Sequence, residues 1–489
     1  MNKRPDESKI CAFNFDIQHP KEHRQGMRKR GRNKNPMTSL ERRAVSALAG
    51  VFGLRMLGLF LILPVFALYA EELEGNTAFL TGVAIGAYGL TQAIFQIPFG
   101  LMSDKFGRKR VIAAGLLIFA IGSVVAAMAD SITGVILGRA LQGTGAIAAA
   151  VIALASDLTR EEQRAKAMAI IGMTIGLAFF VAIILAPVLD RSIGVPGIFW
   201  LTAVLAIVAI VVVYKSVPTP VASHIPLGGE TSLKRQFSII LKDIHLLRLD
   251  LGIFCLHLVL TALFVAIPFT LVESLDIQRE SHWSVYLPVV LLSVIAMVPL
   301  VLMTTRKKRI PNIFLAGIVL LLVGELIFTF GAQSTIWFLP GMVIWFTGFN
   351  TLESLMPSLV SRLAPVQNKG AAIGIYNSAE FFGAFLGGVL GGLVLGLYGT
   401  QGVYMMSAGV IVVWLLIMLP AKPPKLLDTR VLRFVDLESQ GNSLAAELST
   451  IEGVLEVIIM APQGVVYLKV DSELLLPEAL DKYETAADI

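Results

Sequence analysis

Cysteine is scarce in this chain, and so is charge. The 489 residues include two cysteines, Cys11 in the N-terminal tail and Cys255 inside an apolar run. Their placement argues against a disulfide framework and against a metal site built from cysteines. Charged residues make up 15% of the chain, against roughly 25% in ordinary soluble domains. One large soluble core is therefore not expected.

Long apolar runs fill the space between the charges, and hydrophobic residues reach 55% of the total. A run of about 18 or more apolar residues can cross a ~30 Å hydrocarbon core as a helix. We predict twelve such spans, arranged as six plus six around a polar linker. Their approximate bounds are 46–70, 78–102, 110–129, 132–156, 166–189, 195–214, 249–272, 283–304, 311–331, 335–359, 369–397 and 400–420.

The layout predicts an all-α membrane protein of two six-helix bundles, followed by a small soluble α+β domain. The predicted parts are a polar basic tail at 1–45, an N-terminal bundle at 46–214, a cytoplasmic linker at 215–248, a C-terminal bundle at 249–421 and the soluble domain at 425–489. Two interpretations of the tail are open. It is either a basic segment that touches anionic lipid head groups, or an extension ahead of a true start at Met37.

The loops between the spans differ in charge, and this difference predicts the orientation. Basic residues crowd into alternate loops, for example Arg108, Lys109 and Arg110 after the second span. The loop between the first two spans instead carries Glu71 and Glu72 and has no Lys or Arg. Basic loops stay in the cytoplasm. We therefore predict an inner-membrane protein with both termini in the cytoplasm, and we attribute its net charge of +5 to orientation and not to nucleic-acid binding.

The end of the second span carries a compact motif, Gly100-Leu-Met-Ser-Asp104-Lys-Phe-Gly107-Arg108. A small residue at 100 lets two helices approach closely. Asp104 follows one turn later on the same face, where it can pair with Arg108. We predict that Asp157, at the end of the fourth span, joins this charge network. The alternatives are an ordinary basic anchor loop and an ordinary helix-end aspartate.

The fourth span opens with Arg139 and Gln142, which share one helix face. An arginine within a membrane span is costly against lipid, so it should face a cavity or a partner. A structural arginine bonded to backbone carbonyl groups is the alternative. Arg55 in the first span is a second intramembrane arginine.

Three acids lie inside the predicted C-terminal bundle: Glu325, Glu353 and Glu380. At 1.5 Å per residue, Glu380 lies roughly 14–17 Å from the basic end of its span, near the middle of the membrane. A carboxyl group held away from water can take up and release a proton near neutral pH. We therefore predict a proton-coupling or cavity role for these acids, with Glu380 first. His257 is interpreted as an ordinary buried polar residue.

Residues beyond 425 change in character and predict a strand–helix–strand–strand–helix order. The strands fall near 428–436, 454–460 and 464–470, and the helices near 442–450 and 476–485. This order fits a small ferredoxin-like unit that lacks its last strand. Its first loop contains no Cys or His, so a copper or zinc site there is rejected. The domain is left as a candidate for binding a cytosolic ligand or protein.

The loop motif, the Arg139 motif and the appended domain together resemble the YajR-like branch of the major facilitator superfamily, over roughly residues 40–489. The resemblance implies alternating access between the two bundles, drug-efflux-like ancestry and a link between Arg139 and proton coupling. One departure concerns the glycine–proline motif of antiporters, because Ala186-Pro187 is followed by Val188 and Leu189 where that motif has glycines.

The leading hypothesis is a proton-coupled exporter of a small amphipathic solute. Two alternatives remain: a proton-coupled importer of a metabolite, and a transporter-like sensor that signals through the C-terminal domain. No nucleophile–base pair, phosphate loop or metal cluster is evident in the sequence, so neither an enzyme nor a cofactor is predicted. The predicted partners are a small-molecule solute, protons and the lipid bilayer, whereas the substrate-binding residues are not identified.

Overall fold

A computed structural model describes residues 36–219, 233–304, 309–365, 368–421, 428–434, 437–460, 464–471, 474–480 and 483. The chain divides into two compact units, Met1–Thr38 and Ser39–Ile489, and the second is the subject below. Most of the predicted basic tail and part of the central linker lie outside the described residues.

Seven helices build the N-terminal half. They are α1 (Ser39–Phe60), α2 (Leu63–Tyr69), α3 (Ala78–Phe106), α4 (Arg108–Ala127), α5 (Ile132–Thr144), α6 (Ala148–Asp157) and α7 (Glu161–Lys215). The first predicted span corresponds to α1 with α2, and the fourth corresponds to α5 with α6. The first helix begins seven residues earlier than the predicted span, at Ser39.

The C-terminal half follows a short helix, α8 (Leu233–Ile240). Its long helices are α9 (Ile244–Phe269), α10 (His282–Met303), α11 (Ile310–Gly331), α12 (Thr335–Leu363) and α13 (Lys369–Met418). A single π-helical turn, Thr270–Ser274, continues α9. The predicted spans of this half coincide with these helices to within a few residues at most ends.

Polar side chains mark where several of these helices begin. Thr77 accepts a hydrogen bond from the backbone N–H of Leu80 at the start of α3. Ser131 does the same for Gly134 at the start of α5. Helix starts leave backbone N–H groups without partners, and such side-chain oxygens satisfy them.

Two glycines break the longest helices. Helix α7 has 55 residues, about 80 Å at 1.5 Å per residue, which exceeds twice the thickness of a hydrocarbon core. It breaks at Gly194, where φ is 67°. Helix α13 breaks at Gly399, where φ is 68°. Glycine tolerates positive φ without strain, and each break falls between two predicted spans.

Nine helical segments of the described residues are long and apolar enough to cross a membrane. The segments that contain Gly194 and Gly399 each have 50 residues. Since each of these divides into two arms at its break, the helices accommodate more crossings than nine.

Glycines on α13 allow its neighbours to approach closely. A Cβ atom at Gly383 or Gly387 would collide with the backbone carbonyl groups of Phe254 and Leu258 on α9. On another face, a Cβ atom at Gly388 would lie 2.5 Å from the carbonyl oxygen of Gly82 on α3. Helix α13 therefore joins its own half and also forms a contact between the two halves.

The C-terminal domain contains a three-stranded antiparallel sheet in the order β1–β3–β2. Its elements are β1 (Asp428–Arg433), α14 (Leu437–Ser449), β2 (Val454–Met460) and β3 (Val465–Val470). Leu432, Leu448 and Leu468 lie in its small core. A helix was predicted near 476–485, and the structure has a 3₁₀ turn at Pro477–Leu480. The rest of the predicted range lies partly outside the described residues.

We expect Gly387→Ala to lower the melting temperature of the purified protein. The added Cβ would strike the backbone of α9, and overpacking of this kind typically costs about 1–3 kcal/mol. Gly374→Ala is the matched control on the same helix, because nothing lies within 4 Å of its added Cβ. Thermal unfolding of both variants in detergent tests this, and equal melting temperatures would contradict the close contact.

Candidate functional site

The motif at the end of α3 forms a charge network on the side of the bundle that carries the basic loops, called here the basic side. Gly107, with φ of 94°, separates α3 from α4, and Arg108 opens α4. Arg108 forms an ion pair with Asp104, and its Nε donates to Asp157 Oδ2 at 3.2 Å. It also donates to Ser103 Oγ at 2.7 Å. The structure thus brings Asp104 and Arg108 of the motif together with Asp157.

Gly100 lies one turn before Asp104 and faces α6. A Cβ atom there would lie 3.2 Å from the Cβ of Ala149. Helix α3 therefore approaches α6 closely at this point. The approach helps to position Asp157, which ends α6, near Arg108.

A second ion pair on the basic side was missed by the sequence analysis. Glu41 of α1 accepts two side-chain hydrogen bonds from Arg160, each 3.0 Å long, and a third from the backbone N–H of Arg160 at 2.8 Å. The two residues are 119 positions apart, so no local spacing could indicate the pair.

Arg55 is fully buried inside the N-terminal half. Its guanidinium donates to Gln92 Oε1 at 2.7 Å and to the carbonyl oxygen of Gly145 at 3.1 Å. It lies 5.7 Å from the ring centroid of Tyr88 and 5.4 Å from that of Phe119. Attraction to the aromatic faces partly compensates a charge held away from water.

Arg139 lies near the same tyrosine ring, 5.3 Å from its centroid. Its guanidinium donates to Gln142 Oε1 at 3.1 Å and to the carbonyl oxygens of Ala84 and Ile85 at 3.4 and 3.3 Å. These are the backbone contacts that a structural arginine is expected to make. Tyr88 connects Arg55 and Arg139.

The C-terminal half contains a cluster of His257 (α9), Glu353 (α12) and Glu380 (α13), called here the triad. One nitrogen or oxygen atom from each side chain lies within 4.8 Å of the other two. His257 Nε2 is 3.5 Å from Glu380 Oε1. The side chains of His257 and Glu380 are 14% and 23% exposed, so the triad is not sealed off.

Two further polar residues lie close to the triad. The Tyr376 hydroxyl is buried and has no hydrogen-bond partner among the described residues. It interacts electrostatically with the carboxylates of Glu353, Glu380 and Asp250. The sequence analysis predicted both glutamates but interpreted His257 as an ordinary polar residue and gave Asp250 no role. The spacing of Tyr376 and Glu380, one turn apart, was the available sequence signal that Tyr376 lies near this glutamate.

Glu325 occupies a different place in the C-terminal half. It is fully buried, and its Oε1 accepts a hydrogen bond from Trp345 Nε1 at 2.9 Å. The structure therefore groups two of the three predicted acids and leaves Glu325 with its own partner on α12.

A third charge cluster joins the two halves on the side opposite the basic loops, called here the opposite side. Arg279, just before α10, donates to both carboxylate oxygens of Asp190 on α7 at 2.5 and 2.9 Å. It also donates to Glu72 Oε1 at 3.0 Å. The Asp190 side chain is only 6% exposed. Sequence reasoning missed this cluster because its three residues lie in separate loops and helix ends.

The chain matches known membrane transporters along most of its length. It is 41% identical over 442 residues to the inner membrane transport protein YajR of Escherichia coli, covering 90% of this chain and 97% of that protein. It is 36% identical to an uncharacterized transporter of Buchnera aphidicola over 353 residues, covering 72% of this chain and 90% of that protein.

Solved structures match in fold. A bacterial homologue of the human lysosomal transporter Spinster, in an inward-facing and unoccupied conformation, aligns with a TM-score of 0.64 at 13% identity, covering 78% of this chain and 96% of that one. The nucleoside transporter NupG aligns with a TM-score of 0.56 at 15% identity, covering 76% and 99%.

The profile that describes the Major Facilitator Superfamily matches residues 48–388 and 352–433. These two ranges run from the first long helix into the first strand of the C-terminal domain, so they include the charge clusters described above except Glu41. The family expected from the sequence is confirmed, and the chain belongs to the Major Facilitator Superfamily.

Proposed function

We propose that this chain is a proton-coupled transporter that exports a small amphipathic solute across the inner membrane by alternating access. The observation that carries the proposal is the triad, in which two carboxylates meet an imidazole in the interior of the C-terminal half. Transport through a membrane is the activity of its named relatives. Proton coupling, direction and solute are the proposed part.

The triad suits reversible proton binding because its charges are not balanced by a permanent cation. Within the described ranges, neither Glu353 nor Glu380 pairs with a Lys or Arg, and His257 is the nearby basic group. Two carboxylates that share an apolar interior repel each other and are poorly solvated. Uptake of a proton relieves both costs, and partial exposure of the triad gives the proton a route.

Alternating access requires that the two sides of the bundle differ, and the contacts between the halves support this. On the opposite side, α3 meets α13 at Gly82 and Gly388, and Arg279 bridges both halves. Near the basic side, the Cβ positions of Gly370 and Gly374 face open space. If the basic loops are cytoplasmic, this difference favours an inward-facing state.

An apolar layer lies between the halves, next to the triad. The ring of Phe179 from α7 is 5.8 Å from that of Phe349 and 6.5 Å from that of Phe264, both of the C-terminal half. Phe349 in turn is 6.1 Å from the His257 ring. Aromatic rings beside a titratable cluster favour a solute with an apolar body and a polar or charged group.

A second candidate is a sensor in which the C-terminal domain controls the helices. Lys469 of β3 donates a hydrogen bond to the carbonyl oxygen of Ala364, just after α12, at 3.2 Å. Because α13 begins at Lys369, a ligand on this domain could bias the position of α13. This candidate predicts that removal of residues 425–489 abolishes the response to the ligand. The truncated protein should also show no residual flux of solute.

Glu380→Gln is expected to reduce solute-driven proton movement at least tenfold, because the amide cannot release a proton. The measurement uses proteoliposomes with an internal pH dye and a panel of lipophilic cations. Glu325→Gln is the matched control, because this buried glutamate is bonded to Trp345 and lies apart from the triad. We expect it to retain most of the flux, which would exclude Glu325 from the coupling residues predicted from the sequence. Full flux by a folded Glu380→Gln protein would contradict the assigned coupling site.

Asp104→Asn is expected to slow transport at least fivefold. The substitution removes the charge that holds Arg108 at the end of α3, and this shifts the equilibrium between the two conformations of the bundle. Arg110→Gln, an exposed basic residue of the same turn, is the control and should transport normally. Wild-type rates for the Asp104 variant, measured in the same proteoliposomes, would remove the charge network from the mechanism.

Arg279→Gln is expected to populate a state that is open on the opposite side, because it removes the charged link from the C-terminal half to Asp190 and Glu72 of the N-terminal half. Spin labels are placed at Met128 and Ile336, which are both exposed and lie one in each half. Double electron–electron resonance between the labels then measures the separation of the halves. Both native cysteines are first replaced by alanine. Arg191→Gln, a neighbouring exposed arginine, should leave the distances unchanged, and an unchanged distribution in Arg279→Gln would argue against a gate.

A further inference from the structure

We propose that the triad His257–Glu353–Glu380 binds a divalent transition-metal ion, with Zn²⁺ as the reference ion. The competition between this ion and protons rests on the function proposed above, whereas the metal site itself rests on the geometry alone. No sequence motif indicates such a site, because its three ligands come from α9, α12 and α13 and are separated by 96 and 27 positions.

The spacing of the ligand atoms fits a small ion. Zinc bonds to nitrogen and carboxylate oxygen are about 2.0–2.2 Å long, which places neighbouring ligand atoms of a tetrahedral site about 3.4 Å apart. His257 Nε2 and Glu380 Oε1 are 3.5 Å apart. The remaining ligand atom belongs to Glu353, and all three lie within 4.8 Å of one another. Small side-chain rotations therefore suffice to close the site.

The orientation of the imidazole also suits a ligand. His257 Nδ1 lies 3.3 Å from the backbone carbonyl oxygen of Ile253, so in the neutral ring it is this nitrogen that donates. The lone pair of Nε2 then faces the carboxylates. Metal-bound histidines are commonly held by such a hydrogen bond from the other ring nitrogen. Without a cation or a proton, a lone pair would face a carboxylate oxygen at short range.

A second and independent observation is the Tyr376 hydroxyl. Tyr376 as a whole is only 3% exposed, and its hydroxyl has no hydrogen-bond partner within the described part of the chain. Tyr376 precedes Glu380 by one turn on the same helix face, and it interacts electrostatically with both glutamates of the triad. A water molecule bound to the ion would give this hydroxyl the partner that it lacks.

The chemistry of the ligands selects the class of ion. One imidazole and two carboxylates are favourable for Zn²⁺, Mn²⁺, Co²⁺ and Ni²⁺, whereas soft ions prefer thiolates and Mg²⁺ and Ca²⁺ prefer oxygen alone. A divalent charge balances the two carboxylates. Three protein ligands leave a coordination position open for water or a solute. Asp250 is a further carboxylate near Tyr376, and its Oδ2 is also buried without a hydrogen-bond partner among the described residues.

The test is a calorimetric titration of the purified full-length protein in detergent with Zn²⁺, and a parallel titration with Co²⁺ followed by visible absorption. We expect one specific site, and binding at least tenfold weaker at pH 5.5 than at pH 7.5, because protons compete for the ligands. His257→Gln, Glu353→Gln and Glu380→Gln should each weaken binding at least tenfold and alter or abolish the Co²⁺ spectrum.

Glu325→Gln is the control and should bind the ion as the wild-type protein does. It also accounts for adventitious binding at histidines in the tail and linker, which every variant retains. Folding of each variant is checked by its thermal unfolding without metal. If one triad variant fails to fold, the other two decide the outcome.

Absence of Zn²⁺ and Co²⁺ binding by the folded wild-type protein would overturn the proposal, as would equal affinity in the wild-type protein and the folded triad variants. The titration requires no proton flux, so it separates the two proposals. A protein that binds the ion without solute-driven proton movement keeps the site and loses the coupling. The reverse result keeps the coupling and rejects the site.

Discussion

The high cost of a charge in an apolar interior governs the arrangement of this molecule. A buried guanidinium or carboxylate must find a partner, because no bulk water solvates it. Arg55 meets Gln92 and the rings of Tyr88 and Phe119, and Arg139 meets Gln142 and two backbone carbonyl groups. In the N-terminal half the two buried guanidinium groups thus have neutral groups as partners, and these contacts link several helices.

The C-terminal half solves the same problem differently. Its interior charges are acidic, and in the described ranges the triad has no permanent cation beside it. A cluster of this kind is completed by something mobile, which is a proton in the proposed function and a metal ion in the further inference. One half then serves as a fixed polar scaffold, and the other provides a site whose charge changes during a cycle.

Local patterns in the sequence were sufficient for the helices but not for the contacts between them. Long apolar runs predict the spans, and the order Asp104, Gly107, Arg108 predicts an ion pair because these residues are close along the chain. Pairs such as Glu41 with Arg160, or Arg279 with Asp190, depend on how distant helices meet, and no spacing records that. The grouping of His257 with Glu353 and Glu380 was not predicted for the same reason, since the glutamates lie on two other helices.

The two breaks in the longest helices have a wider meaning. Gly194 has φ 67° and ψ 172°, and Gly399 has φ 68° and ψ −171°, so the backbone makes nearly the same bend twice. Each bend lies about thirty residues after the start of its helix, at Glu161 and at Lys369, and before the last span of its half. A second glycine follows three residues after each bend, at Gly197 and Gly402. The two halves therefore join their last two predicted spans through nearly the same backbone conformation.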